Sequence, residues 1–167
     1  RNPIFCIGLR YANTDQYLLQ NSRICIVQAD SSGRILDVNP VFCQSLGYSR
    51  QQLIGQTHQL VNSGVHPPLF WQAVWQQIGQ QQAWRGEICN RHQSGQLRWY
   101  DTVIMPLRNA AGLTERYIAL SSDITARKQA EAHRAELHQL IDTVLSAASE
   151  VAIISLDRNG QVQLFNR

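Results

Sequence analysis

Two runs rich in β-branched residues stand near the start of the chain. Residues 23 to 30 (RICIVQAD) and 34 to 38 (RILDV) have the composition of short strands, and residues 31 to 33 (SSG) between them are typical of a tight turn. Asn39-Pro40 then ends the second run, because proline has no N–H to donate to a neighbouring strand. The pattern predicts an antiparallel hairpin.

Helical spacing follows this hairpin. Residues 41 to 48 (VFCQSLGY) and 49 to 55 (SRQQLIG) each predict a short helix, with Ser49 as the N-cap of the second one. From Pro67 to Ile78 the apolar residues recur at intervals of three and four, which predicts one longer amphipathic helix.

Three further strands are predicted after the long helix. Residues 83 to 92, 96 to 107 and 113 to 123 are rich in residues that favour strands, and turn residues separate them. Two strands, several helices and three strands in this order predict an α+β fold. We expect a five-stranded antiparallel sheet with helices over one face.

The chain changes character from Ile124 onward, because it contains neither glycine nor proline until Gly160. This composition predicts a long helix, and a heptad assignment places Ile141, Leu137 and Val144 on a seam that becomes apolar toward its C-terminal half. A helix packed on its own domain and a parallel coiled coil with a second chain both fit this pattern. The coiled coil is the preferred interpretation, since the seam runs away from the sheet.

An internal repeat closes the sequence. Residues 151 to 166 (VAIISLDRNGQVQLFN) match residues 24 to 39 (ICIVQADSSGRILDVN) in length, strand pattern, turn glycine and final asparagine, Asn166 against Asn39. A simple hairpin would look similar, but the shared asparagine favours duplication of a whole domain.

Composition and charge narrow the classes of function. The formal net charge of +3 is too small and too scattered for a nucleic-acid surface or a polybasic membrane anchor. The apolar runs are far shorter than the roughly 20 residues that span a bilayer. Four cysteines without a CxxC pair suit a reducing cytoplasm. Paired carboxylates, phosphate loops and metal-ligand spacings are missing from the sequence, so we expect no enzyme.

Several of these segments together resemble the PAS sensor domain family, over about residues 22 to 126. The resemblance rests on the opening strands that end in Asn-Pro, on residues 42 to 55, on WRGEICNRHQSG, and on Asp-Ile-Thr at residues 123 to 125. It implies the PAS fold and a sensory role in signal transduction, with the Asp-Ile-Thr end joining the sheet to a signalling helix. We expect Asp123 or Thr125 to cap that helix.

The resemblance and the repeat together predict the organisation of the chain. An N-terminal lead-in segment precedes a PAS domain, a linker helix predicted to form a coiled coil follows it, and a second PAS-like repeat then begins. The predicted ranges are 1–21, 22–123, 124–150 and 151–167.

Within the family, HQLVNSGVHPPLFWQAVW followed by WRGEICN resembles flavin-binding PAS domains. These are the domains of aerotaxis receptors, of the nitrogen-fixation redox regulator and especially of the methane-monooxygenase sensor kinase, which shares LVNSG and EICNR. The resemblance implies noncovalently bound FAD. A flat apolar ring with a polar edge suits indole walls and carboxamide groups. The implied cofactor contacts are Asn39, His58, Asn62, Trp75, Trp84 and Asn90.

Other interpretations remain open for several of these residues. Asparagine before a helix is typically a cap, which applies to Asn39. Trp71 and Trp75 lie one helical turn apart and are equally typical of a core. His66 is a candidate haem ligand, but it lies outside the long helix where haem-binding PAS domains usually place their histidine.

A light-driven mechanism is not expected. Blue-light LOV domains, which are also PAS domains, carry a reactive cysteine where this chain reads GQTHQ at residues 55 to 59. They also carry a glutamine where this chain has Ser121. Redox sensing is therefore preferred.

The predicted function is a cytoplasmic sensor that binds FAD and reports its redox state through the C-terminal helix. Its expected partners are a second copy, held through the N- and C-terminal helices, and a downstream PAS or output domain. A histidine kinase and a diguanylate cyclase are the candidate outputs. Nucleic acid and membrane are not expected partners of this segment. The alternative is a PAS module for dimerisation and relay, with another ligand or none.

Overall fold

The computed structural model of the chain describes residues 22–147 and 154–165. Its main element is a five-stranded antiparallel sheet with the spatial order β2-β1-β5-β4-β3. The strands are β1 (Cys25–Asp30), β2 (Ile35–Val38), β3 (Trp84–Arg91), β4 (Leu97–Arg108) and β5 (Thr114–Asp123).

The helices between β2 and β3 cover the sheet. α1 packs on β1, α2 on β2, and α3 on β3 and β4. The predicted α+β architecture is confirmed, whereas the 3-10 helix before α3 was not expected from the sequence. The helical elements are α1 (Pro40–Leu46), α2 (Arg50–Leu53), the 3-10 helix (His58–Val61), α3 (Pro68–Gly79) and α4 (Thr125–Ala147).

Asn39 determines where α1 begins. It is 1% exposed, and its Oδ1 accepts the backbone N–H of Phe42 and of Ile26, both at 3.0 Å. Its Nδ2 donates to the carbonyl of Ile24 at 2.7 Å. One side chain therefore caps α1 and ties that cap to the start of β1.

The core consists of two groups of buried side chains, one under each half of the helical layer. The first core cluster lies beneath α1 and α2 and contains Cys25, Val27, Ile35, Val38, Phe42, Leu46, Leu53, Val61, Tyr100 and Ala119. The second core cluster lies beneath α3 and contains Val74, Ile78, Trp84, Ile88 and Tyr117.

The segment before α3 covers the edge strand β3. His66 Nε2 accepts the backbone N–H of Cys89 at 2.9 Å, and Ser63 Oγ donates to the carbonyl of Cys89 at 2.6 Å. Asn62 and Asn90 form an isolated antiparallel bridge next to them. Because an open strand edge pairs readily with other chains, this covering also protects the sheet.

The end of β5 is tied directly to the start of α4. Asp123 Oδ1 accepts the backbone N–H of Thr125 at 2.8 Å, as expected of a residue that caps the helix. Thr125 Oγ1 in turn accepts the N–H of Trp99 on β4 at 2.9 Å, and Ile124 N–H donates to the carbonyl of Trp99 at 2.8 Å. The first residue of α4 is therefore anchored to two strands.

A second hairpin, β6 (Ile154–Leu156) and β7 (Val162–Phe165), has the same register as β1 and β2. Ile154 pairs with Phe165 as Val27 pairs with Val38. In both hairpins the register then shifts at corresponding residues, between Gln28 and Ala29 in the first and between Ser155 and Leu156 in the second.

The turns of the two hairpins also use the same hydrogen bonds. Asp157 Oδ1 accepts the backbone N–H of Asn159 and of Gln161, just as Asp30 Oδ1 accepts those of Ser32 and Arg34. The agreement extends from sequence pattern to backbone geometry.

Parts of the predicted organisation fall outside the described residues. These are the lead-in over residues 1–21, the stretch 148–153 and the final residues 166–167, which include Asn166. The proposed domain boundaries therefore stay predictions. None of the helices in the described ranges is long and apolar enough to cross a bilayer.

Candidate functional site

An apolar cavity of about 90 Å³, the inner cavity, lies between the two core clusters. The side chains of α3 that line it are Trp71, Val74, Trp75 and Ile78, which follow one another at helical spacing along one face. Residues of both core clusters complete the apolar wall. The polar positions are few and come from the sheet and the 3-10 helix: His58, Asn90, Thr102 and Ser121.

A wider space of about 830 Å³, the outer cleft, opens on the other side of α3 and the 3-10 helix. Polar side chains make up much of its lining, including Gln59, Asn62, His66 and Gln72. The inner cavity and the outer cleft share a wall formed by Gly33, His58, Trp71 and Trp75.

Trp75 closes this wall against the β1–β2 turn. Gly33 has a φ of +84°, and a Cβ built on it would lie 2.7 Å from Cη2 of Trp75. The Trp75 ring also meets Tyr117 edge-on, with 5.8 Å between ring centroids. Only glycine permits both this turn geometry and this close approach. Because Trp75 is 46% exposed, its ring is only partly held by neighbours.

One side-chain atom at the inner cavity is buried without a hydrogen-bond partner among the described residues: the indole Nε1 of Trp71. Asn90, which is 8% exposed, and the half-buried His58 add a carboxamide and an imidazole to the lining. Buried polar groups are normally paired, so the N–H of Trp71 indicates a missing hydrogen-bond acceptor.

Thr102 and Ser121 form the remaining polar feature of the cavity. The two residues pair across β4 and β5, and their hydroxyl oxygens lie 2.9 Å apart. A hydroxyl group donates or accepts by rotation of its hydrogen. The pair can therefore form a hydrogen bond with a ligand atom that donates and equally with one that accepts.

Desolvation lowers the pKa of His58 and of His66 below the ordinary histidine value. Both imidazoles are therefore neutral near pH 7. Since His66 Nε2 accepts the N–H of Cys89, its proton is assigned to Nδ1. His66 also stacks on Phe70, with 4.1 Å between centroids, so its ring is fixed from two sides.

Cys25 and Cys43 are poorly suited to thiol redox chemistry. Burial raises the pKa of the Cys25 thiol to about 11 and also raises that of Cys43, so both stay protonated and unreactive near pH 7. Among residues 22–147 and 154–165, no three histidine, cysteine, aspartate or glutamate side chains meet as metal ligands.

The structure brings together only part of the predicted contact set. His58, Trp75 and Asn90 line the inner cavity, and Asn62 lines the outer cleft beside His58 and Trp75. Trp84 lines neither space. It packs in the second core cluster, over Gly86 and edge-on to Phe70.

Asn39 also lies outside both spaces, so the predicted cofactor contact has no support from its position. Both ends of its carboxamide already bond to the backbone around β1 and α1. Its role in the structure is the helix cap that the sequence offered as an alternative.

Three residues of the site were not among the predicted contacts: Trp71, Thr102 and Ser121. The helical spacing of four between Trp71 and Trp75 was visible, but it does not tell a ligand wall from a core. Thr102 and Ser121 meet only because β4 and β5 pair in this register.

Fold and site together define the class of protein. Residues 19–129 match the family described as PAS fold, which is more than half of the chain, and the chain therefore belongs to the PAS family. It is a PAS domain of the sensory, signal-transduction class.

Among individual proteins, the chain is similar to the nitrogen fixation regulatory protein of Klebsiella oxytoca. The two are 30% identical over 149 residues, which cover 89% of this chain and 30% of the relative. The chain thus spans about a third of the length of this relative.

Solved structures show the same fold. An RNA-binding light-oxygen-voltage receptor superposes with a TM-score of 0.68 at 22% identity, over 77% of this chain and 37% of that chain. A light-oxygen-voltage domain studied with a flavin analogue superposes with a TM-score of 0.61 at 17% identity, over 74% of this chain and 93% of that chain.

Proposed function

We propose that this PAS domain binds FAD noncovalently and transmits its redox state to α4. The observation that carries the proposal is the buried, unpaired indole Nε1 of Trp71 at an apolar cavity whose few polar positions include His58 and Asn90. Indole and imidazole faces suit a flat ring, and a carboxamide both donates to and accepts from a polar ring edge. The relation to a nitrogen fixation regulatory protein and the shared fold of a domain studied with a flavin analogue support this choice.

Size decides how the ligand would enter. Pockets for ligands of drug size measure roughly 300–1,000 Å³, and the inner cavity of about 90 Å³ is well below that range. The outer cleft is large enough. The three-ring portion would therefore fit only when Trp71 and Trp75 move and join the two spaces. The dinucleotide portion would then occupy the polar cleft near Asn62.

Bound FAD would supply an electron-accepting ring whose hydrogen-bonding groups differ between oxidised and reduced states. The chain's own response begins at Ser121, whose hydroxyl can switch between donating and accepting beside Thr102. A buried group that faces the wrong partner costs about 1–3 kcal/mol, which is enough to reverse a balanced two-state equilibrium. Two residues further along β5, Asp123 caps α4, so a shift of the strand end would move the first turn of the helix.

The proposed oligomer is a dimer held by α4. Leu137, Leu140, Ile141 and Val144 are all exposed, and their spacing places them on one face of the helix. The unpaired thiols of Cys25, Cys43 and Cys89 suit the reducing cytoplasm that we propose as its location.

The second hairpin supports the proposal that another PAS domain follows. Ile154, Leu156 and Val162 are each more than half exposed, whereas their counterparts in the first hairpin, Val27, Ala29 and Ile35, are buried. The remainder of a second domain would bury these side chains.

A cofactor-free dimerisation module is the second candidate function. The small volume of the inner cavity favours it, because the cavity holds only a few water molecules as it stands. Its signalling would then depend on the apolar face of α4 alone.

Absorption spectroscopy decides between the two functions. The purified chain, reconstituted with FAD and freed of excess ligand, should show a flavin spectrum that dithionite bleaches. Ala119→Leu would fill the cavity and should abolish the flavin signal, because Ala119 lines the cavity wall. Ala73→Leu is the matched control on an exposed position of α3 and should retain it. A wild-type chain that stays colourless after reconstitution would overturn the FAD proposal and favour the alternative module, with another ligand or none.

A further inference from the structure

A third space, the arginine cleft, lies where the ends of β4 and β5 meet α1. Its volume is about 330 Å³, and all of its lining residues belong to the PAS domain. Arg23 precedes β1, Arg98 lies on β4, and Asp123 ends β5. Gln44 and Ser45 of α1 form the opposite wall. The inner cavity and the outer cleft do not include these arginines.

Arg98 is the unusual residue of this cleft. Its side chain is half-buried, and its Nε is shielded from solvent without a hydrogen-bond partner. Its terminal nitrogens also form no hydrogen bond or ion pair within the described residues, and the same holds for Arg23. A guanidinium group presents five N–H donors in a fixed planar fork. A partly buried fork with no acceptor indicates that the acceptor comes from elsewhere.

The other polar groups of the cleft do not supply an acceptor for Arg98. Asp123 is its acidic residue, and the Oδ1 of Asp123 accepts the backbone N–H of Thr125 at 2.8 Å. No ion pair joins Asp123 to either arginine in the part of the chain that the structure describes. The Ser45 hydroxyl is hydrogen-bonded to the hydroxyl of Tyr100, with 2.6 Å between the two oxygens. Two arginines against one aspartate leave the lining with an excess of one positive charge.

We propose that the arginine cleft binds a small oxyanion, either a carboxylate or a phosphate group. The planar fork of Arg98 matches the paired oxygens of such an anion, and Arg23 adds a second positive charge at the mouth. Exposed arginines alone would bind it weakly. The partial burial of Arg98 reduces solvent competition and strengthens the contact.

The position of the cleft links this site to the signalling path. Ser121 lines both the arginine cleft and the inner cavity, and Asp123 both lines the cleft and caps α4. A bound anion would therefore contact the strand end that passes the signal to the helix. If it changes the affinity of the inner cavity for its ligand, the inner ligand must change the affinity for the anion by the same factor.

Isothermal titration calorimetry tests the site with two probes, inorganic phosphate and succinate, at an ionic strength held constant with sodium chloride. The wild-type chain should bind at least one of them. Arg98→Gln should weaken that binding by about tenfold or more, since a charge-assisted contact is lost. Arg91→Gln is the matched control, because Arg91 is exposed on β3 outside the cleft, and it should bind as the wild type does.

The two probes distinguish a preference for phosphate from a preference for carboxylate. Binding of phosphate alone or of succinate alone identifies the preferred group and supports the site. Absence of binding to both probes, or equal affinity of Arg98→Gln and wild type, overturns it. Circular dichroism of each variant confirms that it is folded. The assay uses no flavin, so its result is independent of the proposed redox function.

Discussion

Trp71 and Asn90 differ in what they offer a bound molecule. The indole N–H of Trp71 only donates, whereas the carboxamide of Asn90 both donates and accepts. A buried donor without an acceptor destabilises the ligand-free protein and becomes favourable once an acceptor arrives. Trp71 therefore favours binding at the expense of stability in the empty domain.

Trp71→Phe keeps an aromatic ring and removes this donor. We expect its affinity for FAD to fall by about fivefold to tenfold, the value of one hydrogen bond, as measured by quenching of flavin fluorescence. The free energy of unfolding without ligand should be unchanged or higher, because no hydrogen bond is lost. Trp84→Phe is the control, since Trp84 lines neither space, and its FAD affinity should match the wild type. An affinity loss confined to Trp84→Phe would contradict this assignment.

A substitution at Gly33 tests the contact between the Trp75 ring and the β1–β2 turn. Gly33→Ala and Gly95→Ala both place a side chain at positive φ, +84° and +90°, which should cost about 1 kcal/mol each. Only the change at Gly33 also meets the Trp75 ring, whereas the space beside Gly95 is open. Urea unfolding should therefore show a larger loss for Gly33→Ala, and tryptophan fluorescence should shift in that variant alone. Equal losses would mean that the contact with Trp75 does not stabilise the domain.

At the scale of the elements, the segment from Asn62 to His66 acts as a cover on the edge of β3. Its hydrogen bonds to Cys89 involve one neutral imidazole and one hydroxyl. Protonation of His66 at Nε2 would remove the acceptor that Cys89 N–H needs. The cover is therefore sensitive to acid.

Stability should depend on pH through this cover. The pKa of His66, and that of His58, is lower in the folded domain than the ordinary value of 6.5, so the unfolded chain binds protons first as the pH falls. This contribution to stability is fully present above about pH 6.5 and is lost as the pH falls through the folded pKa values. Urea unfolding between pH 8 and pH 5 should show it.

His66→Gln should flatten part of that pH dependence. The glutamine carbonyl can accept Cys89 N–H at any pH, while His58 continues to contribute in the same direction. If the variant has the same slope of stability against pH as the wild type, His66 is not the group that titrates.

At the scale of the whole molecule, the exposed apolar face of α4 argues for a second copy. Leucine, isoleucine and valine at positions 137, 140, 141 and 144 form a stripe of exposed side chains on one face of the helix. Apolar area buried between two such helices stabilises a dimer by about 25 cal/mol per Å² before the cost of association.

Ile141→Lys should therefore shift the chain from dimer to monomer in sedimentation equilibrium. Gln139→Lys introduces the same charge on an exposed position two residues away, off the stripe, and should leave the dimer intact. A wild-type chain that is monomeric at all concentrations would exclude this interface.

The local part of the fold could be predicted from the sequence. Ser49, Asn39 and the glycines of the turns act on their own neighbours, so the strands and helices follow from short-range patterns. The boundaries of α3 and of β3 to β5 agree with those patterns within a residue or two. The 3-10 helix at His58 was not foreseen, because its four residues are too short for a periodic signal.

The site was only half predictable. His58, Trp75 and Asn90 were named because a family motif contains them, and the structure places all three at one cavity. The same motif contains Trp84, whose ring turns into the core instead. A motif specifies residue types and spacing, but it does not specify whether a given side chain lines the cavity or packs in the core.

The sequence by itself determined the order of elements, the caps that begin α1 and α4, and the repeated hairpin, since each depends on contacts between residues close in the chain. Only the tertiary structure decided the spatial order of the strands, the meeting of Thr102 with Ser121, and the size of the inner cavity. These depend on packing between residues far apart in the chain. The volume left between packed side chains has no counterpart in any local pattern.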